Sequence, residues 1–168
     1  RQMCIRDRPW ILDELPLEDC GVILSWHDVV GRPKDLFQRA AVMQDIAGVN
    51  VVKMVWRARS LRDNLDAFEL LRSRQQPMIA LCMGTQGLMS RVLAPKFGGF
   101  ATFASIEEKE ATADGQPTVH DLQMAYNFEA IDQDTKVFGV VGANVGDSAG
   151  IHFHNAAFAA SSTNAVYL

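Results

Sequence analysis

Two residues of this chain, Lys53 and His27, have the types and the setting for imine chemistry. Lys53 interrupts NVVKMVW (50–56), an otherwise apolar, β-branched run that follows Gly48 and precedes a charged stretch. Such a run reads as a strand buried on both faces. An ammonium taken out of water is costly unless it is paired or loses its proton. A desolvated lysine therefore has a lowered pKa and becomes a nucleophile toward ketones and aldehydes. The same pattern fits a strand-edge lysine with its stem on apolar surface and its head in water. His27 closes the apolar run GVILSWHD (21–28). Histidine titrates near physiological pH, so His27 could move protons on and off a lysine imine, or be a satisfied histidine at a strand end. By the period of two, Ile23, Ser25 and His27 share a face, as do Val51, Lys53 and Val55, and Ile79, Leu81 and Met83. Histidine and lysine can then project into one cavity from adjacent strands.

The elements that must hold them alternate. After the strand at 21–28, Pro33 opens a helix to about residue 47, with Gly48 as its C-cap, and the strand 50–56 follows. A second helix spans about 61–74, ahead of Pro77, and a third strand, MIALCMG, spans 78–84. Gly84 and Gly87 bracket a turn into the short helix QGLMSRVLA, and FATFAS (100–105) reads as a fourth strand. Residues 106–117 are charged, small and turn-forming, hence a loop. A helix over 118–128 begins with Thr118 as N-cap and Asp121 three residues on, an Asp variant of the capping box. His27 and Lys53 lie 26 residues apart, and Lys53 and Met83 lie 30 apart, the rhythm of parallel βαβ units. Four such units make half of a (β/α)8 barrel, favoured over an open sheet because the chemical residues fall near the strands' C-terminal ends. From Asp132 a new block begins: a strand over 136–141, glycines at 139, 142 and 146, a helix over about 151–160, and the strand NAVYL.

Composition narrows the class. An apolar content of 48% supports a real core, and a formal net charge of −4 offers no basic footprint for nucleic acid. There is no apolar run of about 18 residues to span a membrane and no secretory leader pattern. Cys4, Cys20 and Cys82 lack paired or CxxC spacing, so neither a disulfide framework nor a zinc site is indicated, and a reducing cytoplasm fits. His152 and His154, two apart on a helix, do not face one metal. The first eight residues, RQMCIRDR, follow neither period and resemble translated sequencing-adapter tails, so they are set apart from the fold as non-native. The chain is expected to start and stop inside a longer protein.

The residues carry a family pattern. ILSWHD with VVKMVW, then ALCMGTQGLMSRVLAPKFGGFATFAS and ATADGQPTVHDL, resembles the C-terminal half of type I 3-dehydroquinate dehydratase over residues 21–128. The histidine, the lysine, the MGxxGxxSR segment, FG, TF and the GQ loop occur in the family's order. The resemblance implies that Lys53 attacks the C3 ketone of 3-dehydroquinate and that His27 is the general acid and base. It further implies that Arg91 binds the substrate carboxylate, Met83 lines the pocket, and Thr112 and Gln116 belong to a loop closing over substrate. Thr112 stands where the family usually has serine, and Asp114 where it usually has proline. No metal or organic cofactor is implied for that reaction. KVFGVVGANVGDSAGIHFHNAAF resembles the opening of shikimate dehydrogenase, with its GxPxxHSxSPxxHN signature. Ser148 matches the first serine and His154 with Asn155 the HN; Asn144, Asp147 and Gly150 depart from the signature. NADP would serve only the missing remainder of that dehydrogenase.

The expected organisation is a tail at 1–8, the second half of the dehydratase barrel at 9–131, and the first β-α-β of a shikimate dehydrogenase substrate domain at 132–168. The expected function is dehydration of 3-dehydroquinate to 3-dehydroshikimate inside a bifunctional protein, cytoplasmic or, in a plant or alga, plastid. The expected partner is the small-molecule substrate, 3-dehydroquinate, with neither nucleic acid nor membrane. Another lysine-imine barrel enzyme such as an aldolase, or a catalytically silent fragment, would fit the same residues. The 168-residue chain by itself is expected to be inactive.

Overall fold

Apolar runs and amphipathic helices alternate to build a four-stranded parallel sheet in the order β1-β2-β3-β4. The strands are β1 (Gln2–Arg6), β2 (Gly21–Asp28), β3 (Val51–Arg57) and β4 (Met78–Met83). This computed structural model describes residues 2–6, 12, 20–107, 109, 113–142, 145 and 148–168. Two crossover helices, α1 (Leu36–Gln44) and α2 (Asp63–Ser73), cover one face of the sheet. Val22, Leu24, Val52, Met54, Trp56, Ala80 and Cys82 point into that helical layer. The opposite face carries a separate apolar cluster of Val51, Val55, Ile79 and Leu81. Both faces are thus covered by apolar contacts, which is why β3 and β4 are continuous rather than alternating apolar runs.

Beyond β4, a short helix α3 (Leu88–Val92) is followed by a π-helical stretch, Asp121–Ala125. Then come β5 (Lys136–Phe138), α4 (Gly150–Ala160) and β6 (Ala165–Tyr167). β5 and β6 pair in parallel as a second, two-stranded sheet. Val166 of β6 joins Val92, Leu93, Leu122, Ala125 and Ile131 in one apolar cluster, so the C-terminal block packs directly on α3 and the π-helical turn. Asn155 of α4 ties the same junction: its amide donates to the carbonyls of Ala125 (2.7 Å) and Tyr167 (2.9 Å) and accepts from the Tyr167 N–H (2.7 Å).

Several expectations are corrected. The tail set apart from the fold contains the edge strand β1, in register with β2 from Gln2 opposite Gly21 to Arg6 opposite Ser25. Without it β2 would present a row of unpaired backbone groups, and an extended segment satisfies them regardless of side-chain period. Ile5 is buried in the helical layer while Cys4 and Arg6 are exposed. The strand expected over 100–105 does not form a ladder. Phe100 N–H bonds the Met78 carbonyl (2.8 Å) and Ser105 makes an isolated bridge to Thr118, but the Phe103 carbonyl is taken by Arg91. The capping box exists, with Thr118 N–H donating to Asp121 Oδ2 and Asp121 N–H to Thr118 Oγ1. The helix it starts widens to a π turn, closed by Tyr126 N–H on the Asp121 carbonyl, and Asn127 in the left-handed region ends it before 128. The strand expected over 136–141 is three residues long.

No helix among the described residues is long and apolar enough to cross a membrane.

Candidate active site

Strand register brings the chemistry-bearing residues to one face. Ser25 lies opposite Lys53, and Lys53 opposite Ile79; one pleat further along, His27 lies opposite Val55, and Val55 opposite Leu81. Strand spacing of about 4.8 Å and a two-residue rise of about 6.6 Å put the Cα atoms of His27 and Lys53 roughly 8 Å apart. That separation lets a lysine amine and an imidazole reach neighbouring atoms of one small substrate. The histidine and lysine therefore share a face, as the period of two predicts.

Burial decides the state of the lysine. Desolvation is the largest influence on the Lys53 amine and lowers its pKa below the ordinary 10.5; Cys4 opposes this, while the charges of Arg91 and Arg6 lower it further. The ring of Phe103 lies 3.6 Å from Lys53 Nζ, giving the ammonium a π face in place of water. Phe103 is the residue that inspection of types missed. An aromatic in an apolar segment carries no chemical signal of its own, and only its place in the TF pair marked it.

Phe103 also connects the lysine to Arg91. Arg91 Nη1 donates to the Phe103 carbonyl (3.1 Å), while its Nε is buried without a partner. Only 2% of Arg91 is exposed, and among the described residues no carboxylate forms an ion pair with it. Burial pushes the guanidinium down to about 10, with the Cys82 thiol acting in the other direction. A buried cation with an idle donor is costly unless an anion completes it. Lys53 and Arg91 together therefore suit a molecule carrying both a carbonyl and a carboxylate.

Arg91 is held by a buried hydrogen-bonded knot. The Asn64 amide donates to the carbonyls of Leu61 (2.9 Å) and Gln86 (2.8 Å), and its oxygen accepts from Ser90 N–H (3.1 Å). Ser90 Oγ donates to the Gly87 carbonyl (2.7 Å) and accepts from Cys82 N–H (2.8 Å). A Cβ on Gly87 would meet the Cys82 carbonyl oxygen at 2.6 Å, so glycine is required for α3 to sit this close to β4. Asn64 was likewise absent from the sequence reading, being one polar residue among many on a charged helix. An Asn64→Leu variant, similar in volume, is expected to lose about 2–3 kcal/mol of stability by orphaning these groups. Urea unfolding measures it, and a change below about 0.5 kcal/mol would mean the knot does not hold α3.

Residues 11–133 match the family described as type I 3-dehydroquinase. The chain belongs to that family. It is 40% identical over 149 residues to the chloroplastic bifunctional 3-dehydroquinate dehydratase/shikimate dehydrogenase of Arabidopsis thaliana, covering 88% of this chain and 24% of that protein. It is 36% identical over 107 residues to the 3-dehydroquinate dehydratase of Thermococcus onnurineus, covering 62% of this chain and 47% of that protein. The chain thus spans less than half the length of either relative. The fold matches the type I 3-dehydroquinate dehydratase of Clostridium difficile with a TM-score of 0.62 at 21% identity, covering 73% of this chain and 52% of that one. It also matches the dehydroquinate dehydratase and shikimate dehydrogenase of S. pombe AroM at 0.59 and 24% identity, covering 99% of this chain and 33% of that one. The α/β fold with a parallel sheet is therefore that of type I dehydroquinases.

The remaining candidate residues sit as follows. Met83 ends β4 and packs on the inner-face cluster that surrounds Lys53, opposite Arg57. Gln116 lies in a loop whose Asp114 carbonyl accepts from Gly84 N–H (2.8 Å), directly after Met83. Thr112, Asn144 and Asp147 lie outside the described residues. Ser148 Oγ accepts from Gly150 N–H (3.2 Å) at the start of α4. His154 is stacked on Tyr167 at 4.5 Å between centroids. Among the described residues, no group of three or more His, Cys, Asp or Glu could hold a metal ion.

Proposed function

We propose that this chain supplies the imine-forming side of a 3-dehydroquinate dehydratase site. The observation that carries the proposal is a partly buried lysine amine on the Phe103 ring beside a buried guanidinium with no anionic partner among the described residues. Neutral Lys53 adds to the C3 ketone, and the carbinolamine hydroxyl takes a proton from His27 and leaves as water, giving a protonated imine and a neutral His27. The cationic imine acidifies C2. His27 takes the C2 proton, and the resulting enamine expels the C1 hydroxyl as His27 returns a proton to it, so that water leaves. Hydrolysis of the conjugated imine releases 3-dehydroshikimate and the free amine. Arg91 holds the substrate carboxylate throughout, while Met83, Thr112 and Gln116 enclose it. The reaction is redox-neutral and uses no metal or organic cofactor.

Residues 9–131 are read as the second half of a (β/α)8 barrel. Residues 132–168 are read as the first β-α-β of a shikimate dehydrogenase substrate domain, with Ser148 in its shikimate site. The parallel pairing of β5 and β6 across α4 and the name of the Arabidopsis relative support that reading. NADP would serve that second activity. Residues 132–168 carry no GxGxxG phosphate loop. The cytoplasm is the expected location, and the chloroplastic relative favours a plastid in a photosynthetic source.

Borohydride reduction with 3-dehydroquinate, followed by peptide mass spectrometry of the protein expressed over its full reading frame, tests the function. A reduced adduct on Lys53 is expected; turnover without an adduct, or an adduct on another lysine, overturns it.

A further inference from the structure

The loop bearing Gln116 is fastened down by a contact that the reaction chemistry does not require. Arg57, the last residue of β3, shares the inner face with Lys53 and Val55 and lies opposite Met83. Its Nη2 donates to Asp114 Oδ2 at 2.9 Å, 57 residues further along the chain. Next to it the loop backbone touches the end of β4. Gly84 N–H donates to the Asp114 carbonyl at 2.8 Å. Gly115, at φ +69°, lies so close that a Cβ there would meet the Gly84 backbone at 2.4 Å. The loop is thus seated backbone to backbone on the mouth of the site, with one ion pair spanning the seam.

We propose that Arg57 and Asp114 are positioning residues, an electrostatic latch that seats the Gln116 loop over the Lys53 site and makes its closure dependent on ionic strength. This rests on the dehydratase reading for what the loop covers. About half of each side chain is exposed, 47% and 58%. Such a pair is weak and readily screened, so it biases an opening equilibrium a few-fold and does not lock it. That size suits a loop that must open for each substrate and product.

Amide exchange of Gly84 reads the seam directly, without substrate. Protection of Gly84 N–H is expected to fall about threefold between about 0.01 and 1 M salt, as the screening length shrinks from about 30 to 3 Å. Asp114→Asn should show the lowered protection at both salt levels, and the swapped pair Arg57→Asp with Asp114→Arg should restore both protection and salt dependence. In the same variants, KM for 3-dehydroquinate should track Gly84 exposure while kcat changes less than twofold. Equal Gly84 exchange in the parent and in Asp114→Asn, or a swap that restores nothing, overturns the latch. If exchange behaves as expected but, in the protein expressed over its full reading frame, no variant, parent included, turns over 3-dehydroquinate, the latch stands and the dehydratase reading fails.

Discussion

Lys53→Ala is expected to lower dehydration of 3-dehydroquinate by on the order of 10⁴-fold or more and to abolish the borohydride-trapped adduct. The size follows from what is lost: without the amine there is no imine, and C2 must give up its proton next to an unactivated ketone. The adduct should also form at a lower pH than an ordinary lysine allows, because burial lowers the Lys53 pKa and so enlarges the neutral fraction at any pH below 10.5. The same shift has a stability consequence. Between the folded and unfolded pKa values the unfolded chain binds more protons, so Lys53 contributes a destabilisation that is present at low pH and relieved as pH rises toward 10.5. Trapping measured against pH checks the amine, and unfolding measured against pH in the parent and in Lys53→Met checks the linkage. An adduct that appears only as pH approaches 10.5 would mean Lys53 is an ordinary solvated lysine.

Arg91→Met is expected to separate stability from function. The bond to the Phe103 carbonyl is lost, at about 1 kcal/mol. Against this, a cation that is 2% exposed and has no carboxylate partner among the described residues is removed, and replacing such a buried charge by an apolar side chain is neutral or stabilising by about 1–4 kcal/mol. The apoprotein should therefore unfold at the same or a higher temperature. Meanwhile kcat/KM should fall roughly 10²- to 10³-fold, because the substrate carboxylate loses its buried counter-charge. A variant destabilised by more than about 2 kcal/mol with little change in kcat/KM would make Arg91 a structural residue.

These predictions rest on different sources. The strands at 21–28, 50–56 and 78–84 were legible because each is an apolar run between turn-forming residues, and a period of two places His27 and Lys53 on one face whatever surrounds them. Thr118 and Asp121 were legible for a similar reason, since a capping box is closed within four residues. The segment 100–105 was misread because its composition suits a strand, whereas its backbone meets other backbone at its two ends, Phe100 on Met78 and Ser105 beside Thr118, and its Phe103 carbonyl is taken by the Arg91 side chain. β1 was overlooked because an edge strand is specified as much by the open edge it meets as by its own residues.

By itself the sequence determined which residues can do chemistry and which faces of which strands they occupy, because side-chain alternation and apolar patterning are local properties of the chain. Only the tertiary structure decided the state of those groups. The lowered pKa of Lys53 needs burial and the Arg91 charge 38 residues away, and the Phe103 ring reaches the amine from 50 residues along. The placement of Arg91 depends on Asn64 and Ser90, and the seating of the Gln116 loop on Arg57 and Asp114. Desolvation and long-range pairing are properties of an assembled volume, and no spacing along a chain states them.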